Sequence, residues 1–164
     1  MRVYAGLTRS GLAAARAAGE VGPAPLTAHA VTPSLRESYA SADAEELEYV
    51  ALMAAADSTL PLIAALADDP PRRYVVACDV PDDAVERDPE AGPSGVVVTR
   101  AVPWRDVKAV HADDPEAEPT IRAAAGAYAA AMAGDDDARF TVDEADGWEL
   151  MWFATQEVDD LLGK

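Results

Sequence analysis

The sequence predicts an α+β fold: a mixed, largely antiparallel sheet with helices packed on it, as a single globular domain over residues 1–164. Three observations lead there. The apolar runs Arg73 to Val80, Gly95 to Val102 and Glu149 to Ala154 have the length and β-branched content of buried strands. Helix-start signals separate the early strands, whereas the later strands follow one another with only turns between, which points away from a regular βαβ repeat. At 164 residues the chain fits one domain, and it has no internal repeat and no linker long enough to divide it.

Residues Arg2 to Leu7 carry the β-favouring Val3 and Tyr4 and are read as a first strand. Thr8 or Ser10 then caps a helix to about Ala18, closed by Gly19 and Gly22. Gly22-Pro23-Ala24-Pro25 is a turn, and Leu26 to Val31 alternates as a second strand. Thr32-Pro33 places a capping hydroxyl before a proline at the first helical position, opening a short helix from Ser34 to Tyr39. Asp43-Ala44-Glu45-Glu46 is a capping-box variant, and Leu47, Val50, Met53 and Ala54 follow at helical spacing. Pro61, preceded by Asp57-Ser58-Thr59, implies a kink or a second helix near residue 58.

Beyond the stop at Asp68-Asp69-Pro70-Pro71, the near-continuous apolar run Arg72 to Val80 reads as a central strand. Pro81 to Pro93 reads as an acidic loop, Gly95 to Val102 as a strand, Pro103 to Asp106 as a turn and Val107 to Ala112 as a short strand. Asp114-Pro115 opens a helix to about Ala133. Phe140 to Val142 and Trp148 to Phe153 are expected to pair as a hairpin, and Thr155 to cap a last helix over Gln156 to Leu162.

Half of the residues are hydrophobic, but 37 are alanine, and Leu, Ile, Val and Phe together number only 32. The core is therefore small, and each of Trp104, Trp148 and Trp152 is expected in core or rim packing. Thirty acids face 13 bases, a net charge of −17. Such a chain repels phosphate backbones and anionic headgroups, so direct nucleic-acid and membrane binding are not expected. The acidity fits a basic protein partner, a DNA-mimicking decoy, or solubility alone. The lone Cys78 sits in an apolar run as a buried thiol and makes no internal disulfide. There is no signal h-region and no stretch of 18 uninterrupted apolar residues, so a reduced, cytoplasmic setting is expected. Eleven arginines against two lysines fit a high-GC genome.

His29 and His111 have no cysteine near them, which argues against zinc, and the acidic clusters at Asp43–Glu48 and Asp113–Glu118 lack calcium-loop spacing. They are read as acids complementing helix dipoles, and neither a metal nor a cofactor is expected. Dinucleotide, phosphate-loop and nucleophile-elbow motifs are absent. The most varied region is Ala28 to Tyr49. A strand bearing His29 that turns at Thr32-Pro33 would aim His29, Thr32, Arg36 and Tyr49 toward a sheet mouth beside a helix N-terminus, a candidate ligand site. Set against that, Thr32 reads as a cap, Arg36 as an ion-pair partner of Glu37 or a neighbouring acid, and His29 as a satisfied half-buried ring.

The segments Ala28 to Glu37, Glu45 to Tyr49, Arg73 to Pro81, Val107 to Pro119 and Met151 to Glu157 together resemble an uncharacterised family of small acidic actinobacterial proteins, a domain of unknown function. That resemblance covers nearly the whole chain and implies no activity. The order of strands and helices is also similar to small ADP-ribosyltransferase-like domains, which use NAD in a cleft between two small sheets. That likeness implies roles for His29 and for Glu149 on a late strand, although no triad of that family is matched residue by residue. The expected function is a soluble acidic protein-interaction or regulatory domain without catalysis. The alternatives are an NAD- or nucleotide-binding enzyme, possibly degenerate, and a DNA mimic.

Overall fold

Strand β1 (Arg2–Leu7) alternates its side chains between two faces of a sheet, and both faces are covered. A computed structural model describes residues 1–163. After β1, Thr8 caps α1 (Arg9–Ala18), its Oγ1 accepting from the Gly11 amide at 3.1 Å, and Gly19 closes the helix at φ 76°. A two-residue strand β2 (Glu20–Val21) follows, then β3 (Leu26–Ala30), α2 (Pro33–Ser38), α3 (Ala44–Asp57) and α4 (Leu60–Ala65). The second half runs through β4 (Tyr74–Asp79), β5 (Val85–Arg87), β6 (Gly95–Val98), β7 (Val102–Pro103) and β8 (Val107–Asp113). It ends in α5 (Glu118–Met132), α6 (Asp136–Asp143), β9 (Leu150–Phe153) and α7 (Val158–Leu161).

Seven strands form one sheet in the order β5-β6-β3-β1-β4-β8-β9, and every pairing is antiparallel. The expected α+β class holds. Val3, Ala5, Tyr74, Val76 and Cys78 face α1 and α7, whereas Tyr4, Val75 and Ala77 face α2 and α3. A register shift beside Ala77 and Cys78 lets Val107 and Val110 share the first face while Ala109 takes the second. Helices α4 and α5, with Ala145 after α6, build a separate small core of Leu60, Ile63, Ile121 and Ala124. This helical unit sits on the flank of the sheet.

Helix α3 lies close on β1 because Gly6 has no side chain. A Cβ there would sit 2.2 Å from the Ala55 carbonyl oxygen. The helix begins as expected: Asp43 accepts from the Glu46 amide at 2.9 Å and Glu46 accepts from the Asp43 amide at 3.0 Å. It ends at Asp57, where the Ser58 and Thr59 hydroxyls do not cap α4 but donate back to the Ala55 and Ala56 carbonyls, each at 2.6 Å. Among the described residues, 44–65 is the one helical segment long and apolar enough to cross a membrane. Its Leu47, Ala51, Ala55 and Ala56 are packed inside the fold.

Several expectations fail in instructive ways. Phe140 to Val142 is not a strand and makes no hairpin with Trp148 to Phe153. It lies in α6, because Asp135 accepts from the Ala138 amide at 2.9 Å and caps a helix whose first turn carries Asp136 and Asp137. Freed of that partner, β9 pairs with β8 at the sheet edge. The run Gly95 to Val102 divides, β6 staying in the large sheet and β7 leaving it to pair with β2. The loop Pro81 to Pro93 contains β5, the outermost strand on the other edge. Thr155 is inside a 3-10 turn rather than capping, and the Ala154 amide is satisfied by Glu157 at 2.7 Å. Trp104 and Trp148 pack against cores, but Trp152 is 61% exposed on β9. Cys78 is fully buried, and burial pushes its thiol up to about 12.

Candidate functional site

The residues singled out in the sequence do not converge. His29 is buried on β3, with Nδ1 2.8 Å from the Ser94 Oγ and Nε2 without a partner; burial lowers its pKa, so the ring is neutral at neutral pH. This contact ties β3 to the turn before β6. Thr32 caps α2, accepting from the Leu35 amide at 3.1 Å and donating to the Pro93 carbonyl. Arg36 makes no ion pair among the described residues and lines a cavity of about 290 Å³ with Arg2, Tyr4 and Glu48. Tyr49 is exposed on α3, outside that lining. Glu149 is exposed just before β9, and β9 is four strand spacings, about 19 Å, from the strand that carries His29.

A different constellation stands where the sheet meets the helical flank. Arg73 enters β4 with a fully buried guanidinium, and Asp113 ends the neighbouring β8 with a fully buried carboxylate. The two are bidentate, Nε to Oδ2 at 2.9 Å and Nη2 to Oδ1 at 2.8 Å, and the Arg73 amide also donates to Oδ2 at 2.8 Å. Arg73 Nη2 further donates to the Ala145 and Trp148 carbonyls at 3.2 and 3.1 Å. Arg72 donates twice to the Asp113 carbonyl, at 3.1 and 2.7 Å. Burial opposes the Arg73 charge, but Asp113 outweighs it and the pKa is raised. The pair is a staple holding β4, β8 and the turn after α6 in one arrangement.

Sequence reading placed Asp113 only among acids near a helix start and gave Arg73 no role. The signal was present: each charge sits at the end of an apolar strand, but only the antiparallel register brings together two residues 40 positions apart.

On the solvent side of this staple, Asp57 contacts Arg73 Nη1 at 3.4 Å and lines a cleft of about 220 Å³ with Tyr128, Met132, Arg139, Asp143 and Asp146. Burial, then the neighbouring Asp146 charge, push the Asp57 carboxyl up to about 6, against the pull of Arg73. Among the described residues no three His, Cys, Asp or Glu side chains are placed to hold a metal ion. The native state therefore binds the Asp57 proton more tightly than the unfolded chain. Its stabilising contribution is complete below the ordinary carboxyl range and is lost as pH rises through about 6. Asp57→Asn is expected to raise the melting temperature more at pH 7.5 than at pH 4, by a small amount because the side chain is 43% exposed and gives up its contact with Arg73, measured by thermal denaturation at both values. An equal effect at both would contradict this assignment.

The outer flank of α6 is strongly acidic, as is the segment 79–90, which has the same balance of six acids and one base. Residues 135–146 hold six acids and one base, Arg139, which pairs with Asp143 at 3.4 Å. Phe140 is 69% exposed there and Met132 54% exposed at the end of α5. The region 135–164 carries ten acids against two bases, −8 of the total −17, whereas residues 1–49 carry six against four.

Fold and surface together define a compact antiparallel α+β domain with an acid-rich helical flank. The chain belongs to DUF6912, a family of unknown function, whose model matches residues 1–162. No curated protein and no solved structure matches the chain.

Proposed function

We propose that this domain is an acidic protein-interaction or regulatory module of the cytoplasm, without catalysis of its own, that takes up a basic protein partner. The uneven charge supports this reading most directly. Were the acids there for solubility alone, they would be spread over the surface, but nearly half of the excess falls in the last 30 residues. Helix-dipole complementation accounts for Asp136 and Asp137 in the first turn of α6. It does not account for Glu144 at its C-terminal end, where a carboxylate is disfavoured by about 0.3–1 kcal/mol and where, unlike Asp143 with Arg139, Glu144 makes no ion pair among the described residues. An acid retained against local helix stability suits a role outside the helix.

A second reading, an NAD- or nucleotide-binding domain, draws on the 290 Å³ cavity in which Arg2, Arg36 and Tyr4 meet. A thermal-shift series separates the two. A lysine peptide is expected to raise the melting temperature at low salt by about 5–10 °C at a hundredfold excess over its Kd, and to lose the effect at high salt. NAD, ADP-ribose and ATP at millimolar concentration are expected to leave it unchanged. A shift with NAD or ADP-ribose that disappears in Arg36→Ala, with none for the lysine peptide, would replace the first reading by the second.

A further inference from the structure

We propose that the outer flank of α6 is the docking surface itself and that its occupant is a lysine- or arginine-rich segment of another protein, with an apolar side chain seated on Phe140; this rests on the interaction reading above. On a helix the neighbours of position i are i±3 and i±4. For Phe140 all four are acids: Asp136, Asp137, Asp143 and Glu144. An exposed aromatic ring is thus framed by carboxylates on every helical neighbour position.

Only Asp143 of the four has an ion-pair partner among the described residues, Arg139. Among the described residues Asp136, Asp137 and Glu144 make no ion pair, so no described base competes with an incoming one for their charge. Phe140 packs into none of the cores, and α6 has no buried residue of its own. The helix is held instead through α5 and through Ala145, which is fully buried in the flank core. Its inner side is therefore fixed while its outer side is open.

Charge complementarity decides the occupant. A second copy of this chain would bring its own −17, and a nucleic acid or an anionic membrane would bring phosphates against the same carboxylates. A basic segment meets the frame with opposite charge, and the aliphatic stems of lysine and arginine cover apolar surface while their heads remain paired. The aromatic ring supplies the contact area at the centre, and the acids form the polar rim of a small interface. A cation over the ring face adds to the same preference.

The test is calorimetric titration of the full chain with two probes of equal charge, a helical lysine/leucine peptide and an all-lysine peptide. Phe140→Ser is expected to weaken the lysine/leucine peptide by about tenfold and the all-lysine peptide less than about twofold, since an anchor contributes apolar area and not charge. The triple variant Asp136→Asn, Asp137→Asn, Glu144→Gln is expected to weaken both. Glu45→Gln, on the exposed start of α3, is expected to change neither. Because Phe140 and the frame are exposed and lie outside the cores, all variants are expected to stay folded with melting temperatures within a few degrees of wild type, the helix-dipole terms at Asp136, Asp137 and Glu144 being small and partly opposed. If the α3 variant weakens binding and the α6 variants do not, the docking surface is elsewhere, and this proposal falls while the interaction reading stands. If neither peptide binds wild-type protein at low salt, both fall.

Discussion

Arg73→Met is expected to destabilise the protein by about 3–5 kcal/mol, because it strands a fully buried Asp113 carboxylate without its bidentate partner. For a domain of this size that is a fall of roughly 6–20 °C in melting temperature. Asp113→Leu is expected to cost a similar amount by stranding the guanidinium. The double variant is expected to recover most of the loss, because desolvation of the two charges offsets much of what their attraction supplies. The cycle is measured by urea denaturation of the four proteins. A single-variant loss below about 1 kcal/mol, the range of exposed pairs, would show that the pair is solvated and does not staple the flank to the sheet.

Gly6→Ala is expected to be the other severe substitution, at about 3 kcal/mol, toward the upper end for overpacking. The atom the new Cβ would strike is the Ala55 carbonyl oxygen at 2.2 Å, part of the α3 backbone, so no side-chain rotation relieves the contact. Gly126 in the middle of α5 is the natural comparison. A Cβ there meets nothing within 4 Å, and Gly126→Ala is expected to stabilise by up to about 1 kcal/mol through helix propensity. Denaturation midpoints of the two variants check both signs. If they moved together, the close seating of α3 on β1 would not be what distinguishes the two glycines.

What could be read from the sequence was mostly local. The caps at Thr8, Thr32 and Asp43 were legible because a capping side chain bonds an amide within three residues, and the central strand Tyr74 to Asp79 because its apolar run is continuous. The α+β class followed from the order of those elements. What was lost depended on register or on tertiary contact. Phe140 to Val142 is too short a run for its period to be decided, and packing against α5 with the Asp135 cap settles it as helix. Val102 leaves the run that begins at Gly95 because Val21 offers it another partner.

The site was less legible than the fold. His29 and Thr32 carry chemically versatile groups close in sequence, yet the fold uses them to fasten Ser94 and Pro93. Arg36 alone of the five candidates lines a cavity with other cations. Glu149 was assigned to a late strand by architectural likeness and lies on the edge away from His29. The Arg73–Asp113 staple and the acids around Asp57 became visible only when β4, β8 and the turn after α6 were placed side by side. The frame around Phe140 is different, since its i±3 and i±4 spacing is in the sequence. It was hidden by reading Phe140 to Val142 as strand, on which those acids would not be neighbours.

The most direct test of an acidic interaction module is to map where a basic probe lands. Amide chemical shifts of the full chain would be followed during titration with the lysine/leucine peptide, at low and at high salt. Shifts concentrated on residues 135–146 and the adjoining end of α5, lost at high salt, are the expected result. Shifts scattered evenly over the acidic surface, or gathered around Arg36 and Tyr4, would contradict it.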